Sequence, residues 1–298
     1  MPPVRPASDD HDAGGRRKGI LPAKGLQVLN RQREHPCGRA DLSAKPVGRL
    51  RLVQAVALAG LLPAISLTNI ACHRTCTGRT AGFTPQPGDL LFQDLDAGPL
   101  CDAIEQVTLG HDGANLSHVG LVARDARRAG VVIEAVSAGV VVTPLEVFLA
   151  RSLDPQGRPK VLAGRLNPAV VANGRRLALR AVEHARTLEG ARYDRHFLVD
   201  NDSYYCSELI YEVFRRANEG RPLFDLRPMT FREPGSEEPL AAWTVYFAGL
   251  GVAIPEGCPG INPGGISRSP VLTIVHEYGA VTRKPASCGS DPMVRQQQ

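Results

Sequence analysis

Aromatic side chains are scarce in this 298-residue chain: Phe, Tyr and Trp make up 5% of it, with a single Trp. Single-stranded nucleic acid is bound on aromatic platforms interleaved with basic residues, and no such interleaving occurs here. Metal-type cysteine spacing is missing too. The seven cysteines, at 37, 72, 76, 101, 206, 258 and 288, form no C-x-x-C pair and no Cys/His zinc framework. No metal centre and no cofactor are therefore expected. Their odd number excludes a closed set of disulfides and leaves at least one thiol for another use; Cys72-His-Arg-Thr-Cys76 reads as part of a tether. The folded body also lacks net charge. The whole chain is +5, from 35 Lys+Arg against 30 Asp+Glu, but residues 1–71 hold 11 basic and 5 acidic residues, leaving 24 and 25 for the rest. A body at −1 offers no basic stripe for phosphates, so nucleic acid is excluded as a partner. Long apolar runs are limited to residues 52–71, which excludes a multi-span membrane protein. With 43% hydrophobic residues the chain can build a real core, which excludes global disorder.

Residues 1–46, rich in Arg, Pro, Gly and Asp, read as a disordered leader or as over-called translation ahead of a start at Val47. The basic Val47-Gly-Arg-Leu-Arg51, the uncharged run Leu52 to Ala71 and then Cys72 have the make-up of a secretory signal ending at a lipidated cysteine. The same twenty residues are just long enough for a transmembrane anchor, against which Pro63 counts. The expectation is an exported, membrane-anchored protein of the cell envelope, with residues 47–71 as signal peptide or membrane anchor and Cys72 as the lipidation candidate.

Residues 72–86 are polar and Gly/Thr/Pro-rich and read as a linker. From 87 the pattern tightens. Asp89 to Phe92 predicts a short strand, and Leu100 to Leu109 a short helix. Ser117 to Ala123 and Gly130 to Val136 are β-branched runs joined by a polar turn, hence a hairpin, and Gly139 to Thr143 adds a third strand. Pro144 opens a helix over 145–150, and Pro159 to Leu166 is another strand. Asn173 is placed to cap a helix that presents Leu177, Ala181, Ala185 and Leu188 on one face and ends at Gly190. Cys206 to Ala217 carries Leu209, Ile210, Val213, Phe214 and Ala217 at helical spacing. The fold class is α+β, an antiparallel sheet packed against helices over 87–219. A Pro/Gly-rich C-terminal extension, residues 220–298, follows and has an apolar patch at Trp243 to Ile254.

Three residues stand in settings that carry chemistry. Cys206 opens an amphipathic helix, where unpaired N–H groups and the helix dipole favour thiolate. His118 lies on a strand among apolar neighbours and is placed to serve as general base or as imidazolium partner; His196, ten residues before Cys206, is the alternative base. Glu134 interrupts a Val-Val-Ile…Ala-Val run, and a carboxylate there is costly without a partner. Across the hairpin it can accept the second ring N–H of His118 and fix its tautomer. Each residue alone also fits a structural role.

Gly88-Asp-Leu-Leu-Phe, Ser117-His-Val-Gly-Leu-Val, Val132-Ile-Glu-Ala, Tyr193-Asp and Tyr205-Cys-Ser-Glu-Leu-Ile-Tyr together resemble the permuted NlpC-type papain-like cysteine hydrolases of the YiiX/YaeF branch. In that branch the His-bearing strands precede the Cys-bearing helix. The resemblance covers residues 83–217 and extends to about 272 through Pro255-Glu-Gly…Asn262-Pro-Gly…Ser267-Arg-Ser269. It implies a circularly permuted papain-like fold, with Cys206 as nucleophile, His118 as base and Glu134 as orienting residue. Tyr193 matches the tyrosine whose hydroxyl joins the Cys backbone N–H in binding the oxyanion, and a packing tyrosine is its other reading. Asp89 is the strand-entry acid, a cleft candidate or a turn cap. The implied activity is hydrolysis of amide or ester bonds through a thiol acyl-enzyme, on a peptide, a peptidoglycan stem peptide or an acyl lipid. The rival expectation is a non-catalytic envelope module that keeps the groove, against which the intact Cys206, His118 and Glu134 argue.

Overall fold

Residues 82–284 are described by the computed structural model of the protein. Along the chain the elements are β1 (Leu90–Gln93), α1 (Pro99–Val107), β2 (His118–Arg124), β3 (Gly130–Val136), β4 (Gly139–Pro144), α2 (Leu145–Leu149), β5 (Val161–Leu166) and α3 (Gly174–Thr187). There follow β6 (Arg192–Tyr193), β7 (Ser203–Tyr204), α4 (Cys206–Ala217), β8 (Arg227–Pro228), α5 (Ala241–Leu250), β9 (Pro259–Gly260), α6 (Pro263–Ser267) and β10 (Leu272–Glu277). Six strands form one sheet in the order β10-β5-β1-β2-β3-β4, antiparallel throughout.

Both faces of this sheet are covered, which is why its strands read as continuous β-branched runs rather than as clean alternation. Leu90, Phe92, Val119, Leu121, Ile133 and Ala135 turn to one face and meet Leu177 and Ala181 of α3 and Leu209, Ile210 and Phe214 of α4. Leu91, Val122, Val132 and Val161 turn to the other face, under Phe148 of α2. Each of the Val, Leu, Ile and Phe side chains among these contributes roughly 1.5–3 kcal/mol by leaving water. Gly88 is needed where the chain enters β1: its φ is +92°, and a Cβ there would come within 2.4 Å of the Ala178 Cβ on α3.

The hairpin, the third strand and α4 lie where the pattern predicts them, and α1, Pro99–Val107, begins one residue before its predicted span and ends two residues short of it. Other features differ. Asn173 precedes α3, but its side chain makes no capping hydrogen bond; its carbonyl accepts from Leu177 instead. α3 stops at Thr187, and Gly190, at φ +82°, serves the turn beyond. The segment read as a linker already packs at its end, where the Phe83 ring stacks on His276 at 4.3 Å and meets Tyr278 edge-on. The C-terminal extension is built into the sheet: β10 pairs with β5 and forms the edge, with a register shift between Ile274 and His276. The apolar patch at 243–254 is largely helix α5. Its Trp243 and Phe247 pack with Ala103 of α1 and with Phe231, forming a separate cluster beyond the sheet.

Candidate active site

Cys206 is the first residue of α4, and its side chain is buried. The N–H groups of a first helical turn have no intrahelical acceptor. One of them, on Ser207, hydrogen-bonds the Cys206 sulfur, as does the backbone of Val119. The third residue of the helix, Glu208, reaches back to accept from the Tyr205 N–H at 3.3 Å. Burial, aggravated by Asp194, pushes the Glu208 carboxyl up to about 9, so at neutral pH this end of the helix is spared a negative charge.

His118 opens β2 at the end of the sheet nearest α4. Its Nε2 lies 2.6 Å from Glu134 Oε2, and its ring also hydrogen-bonds the Cys206 thiol, which leaves Nδ1 for the sulfur. Burial alone would lower the His118 pKa; the partners Cys206 and Glu134 outweigh it and push it up to about 9. Burial likewise opposes ionisation of Cys206, and the His118 hydrogen bond and charge reverse that, holding the thiol below its ordinary range. A thiolate–imidazolium pair is the ionisation state these directions describe.

Glu134 completes the row. It lies on β3 opposite Val141 of β4, fully buried, and the partners of its carboxylate are side chains. Oε1 accepts from Thr143 Oγ1 at 2.5 Å and from Arg151 Nη2 at 2.5 Å, while Oε2 accepts from Arg151 Nη1 at 2.6 Å besides facing His118. Burial would raise its pKa, but His118 and the Arg151 fork hold it down at about 2. Gly120 leaves room for this row. A Cβ there would meet Val132 Cγ1 at 2.4 Å and Phe148 Cε2 at 3.1 Å, with Glu134 Cβ at 3.4 Å.

On the far side of the pair lies a cavity of about 510 Å³ lined by Cys206 and His118 together with Leu100 and Ile104 of α1, Phe197, and Trp243, Tyr246 and Leu250 of α5. Its walls are mostly carbon. Tyr193 also lines it. Its hydroxyl has no hydrogen-bond partner among the described residues, and burial raises its pKa above the ordinary tyrosine value.

The sequence thus led to Cys206, His118, Glu134 and Tyr193, and the structure brings all four to one place. Asp89 is not brought there. It is buried just before β1, accepts from the Gln86 N–H at 2.7 Å and pairs with Arg165 at 2.7 and 2.8 Å, the turn-capping alternative with an ion pair added. His196 faces Asp194 at 3.8 Å and does not line the cavity. Cys72 lies outside the described residues. Sequence reasoning missed Thr143 and Arg151. Thr143 was findable in principle, two residues along from the cross-strand neighbour of Glu134 and so on the same face. Arg151, just after α2, carries no local signal. Cys101, a free thiol on the cavity wall, was also passed over.

Residues 84–276 match the family model of the permuted papain-like amidase enzymes YaeF/YiiX, the C92 peptidase family. The chain belongs to that family. It is accordingly a cysteine amidase of permuted papain-like fold, as the motifs implied. Among solved structures it is similar to one described as the metalloprotein YiiX from Escherichia coli O157:H7, at 23% identity, covering 66% of this chain and 100% of that one, with a TM-score of 0.53. No curated protein matches. Among the described residues of this amidase no group of three or more His, Cys, Asp or Glu is arranged to hold a metal ion. His118 and Cys206 spend their donor atoms on each other and on Glu134, so this cluster of described residues does not fit a metal centre.

Proposed function

We propose that this amidase removes an acyl chain from an amine at the cell envelope, through a thioester on Cys206. The single observation that carries the reading is the mostly apolar cavity against the Cys206–His118 pair. A peptide or peptidoglycan stem brings polar backbone and carboxylates, which such walls would strip of water without replacing their hydrogen bonds. A fatty acyl chain suits them. The envelope location and membrane attachment rest on the uncharged segment 52–71 and on Cys72, and they would bring the enzyme to where acylated amphiphiles reside.

In this mechanism the Cys206 thiolate attacks the amide carbonyl carbon. Negative charge then develops on the carbonyl oxygen, where the Cys206 N–H and the Tyr193 hydroxyl donate to it. His118, protonated on the nitrogen facing the sulfur, gives that proton to the amide nitrogen as the C–N bond breaks, and the amine departs. Water attacks the thioester while His118 takes its proton. The carboxylic acid leaves, and the Cys206 sulfur returns as thiolate beside the imidazolium. Glu134, held ionised by Arg151 and Thr143, keeps the imidazole oriented throughout. An ester follows the same course with an alcohol as leaving group.

The test is a comparison of substrates on the full-length protein: a dodecanoyl amide, its acetyl counterpart and a peptidoglycan stem peptide. The reading expects the dodecanoyl amide to be cleaved with the highest kcat/KM, by at least tenfold. Preference for the stem peptide, or equal rates for acetyl and dodecanoyl amides, would overturn it.

A further inference from the structure

One lining residue is out of character with the cavity. Arg195 is its single permanently charged residue. The buried charge beside the pair, Glu134, is compensated by Arg151. The Arg195 guanidinium is exposed and has no carboxylate within ion-pair range among the described residues.

Its backbone, by contrast, is clamped. The preceding Asp194 is buried and accepts from the N–H groups of His196 at 2.8 Å and Leu198 at 2.7 Å. The Arg195 carbonyl accepts from the Tyr246 hydroxyl of α5 at 3.0 Å. Phe197, at φ +55°, drives its ring among Tyr205, Trp243, Tyr246 and Phe247. The loop therefore holds the Arg195 backbone at the cavity lining, and its guanidinium, without a carboxylate partner among the described residues, is available to an anion brought by a ligand.

We infer that Arg195 is the head-group site of this enzyme: the substrate is an anionic amphiphile whose acyl chain fills the cavity while its carboxylate or phosphate pairs with Arg195. This rests on the acyl-chain reading of the cavity and narrows it to one chemical class. Neutral acyl amides fill the same walls without meeting the charge. Carboxylate and phosphate each offer two oxygens that a planar guanidinium fork can engage together, and they point to different substrates, an N-acyl amino acid or an acylated phosphate-bearing amphiphile.

The chain's one tryptophan, Trp243, lines the cavity and reports binding by its fluorescence without any turnover. Full-length protein carrying Cys206→Ala is titrated with N-dodecanoylglycine, with the neutral N-dodecanoylglycinamide and with dodecyl phosphate. At least one anionic probe is expected to bind about tenfold more tightly than the neutral one, by the strength of a charge-assisted pair at a partly exposed site. Whichever anion gains more identifies the head group. Adding Arg195→Ala should collapse the anionic advantage to within about twofold, Arg195→Glu should invert it, and raised salt should erode it. Equal affinities for neutral and anionic probes, or an anionic advantage that survives Arg195→Ala, would overturn the inference while leaving the acyl cavity standing. Binding of none of the probes would overturn both. An Arg195-dependent advantage without cleavage of any dodecanoyl amide by the unsubstituted protein would support the head-group site and contradict the amidase substrate proposed above.

Discussion

The polar row that ends at the cavity and the wall across from it are built on opposite principles. On the sheet side, Cys206, His118, Glu134, Thr143 and Arg151 form an unbroken polar row, each buried group engaged by the next. On the other side, α1 and α5 present carbon, and the hydrogen bond from Tyr246 to the Arg195 carbonyl is a rare polar contact there. The row fixes ionisation and therefore reactivity. Apart from the Cys101 thiol of α1, the apolar wall presents no reactive group beside the pair, and it selects by shape and by loss of water. A change in the row should strike kcat and the pH profile, and a change in the opposite wall should strike KM and the order of substrates.

The largest way to break this division is Cys206→Ala, which should lower kcat by about 10⁴-fold or more with little effect on thermal stability. His118→Ala comes next, at about 10³-fold, and should also abolish alkylation of Cys206 by iodoacetamide at neutral pH, because the thiolate depends on that ring. Arg151→Ala leaves the buried Glu134 carboxylate short of two charged hydrogen bonds. It should cost about 2 kcal/mol of stability in chemical denaturation and roughly tenfold in kcat. Arg151→Lys should rescue only part of this, since an ammonium cannot reproduce the fork.

The pH dependence sharpens the comparison further. His118 is raised to about 9 in the folded protein. Its contribution to stability is therefore fully present below its unfolded value near 6.5 and is lost as pH rises through about 9. Activity should show an alkaline limb near the same pH, and the thermal midpoint should decline across that window less steeply in Cys206→Ala, which removes one of the partners that raise His118. The smallest effect belongs to the opposite wall. Tyr246→Phe, which releases the Arg195 carbonyl, should raise KM a few-fold with kcat nearly unchanged.

The polar row was partly legible in the sequence because three of its members contradict their surroundings. A carboxylate and an imidazole sit in β-branched runs, and a cysteine opens an amphipathic helix. Thr143 and Arg151 contradict nothing locally; a threonine at a strand end and an arginine after a helix are ordinary, and only the register of β3 on β4 shows what they hold. The antiparallel α+β fold was legible for the same reason as the strands, from β-branched runs closed by Gly and Pro. β10 was not, because it is an edge strand with a register shift, following a Pro/Gly-rich stretch. Arg195 stayed hidden among many surface arginines, since what distinguishes it is its place in the lining of the cavity.

The central claim is that Cys206 carries the acyl group while the mostly apolar cavity holds its chain. It is tested most directly by rapid-quench mass spectrometry of the full-length protein mixed with a dodecanoyl ester or amide. The account predicts a transient mass increase of one dodecanoyl group, mapped to Cys206, absent in Cys206→Ala and accumulating when deacylation is slowed. Turnover of the same substrate with no adduct on Cys206, or undiminished in Cys206→Ala, would contradict it.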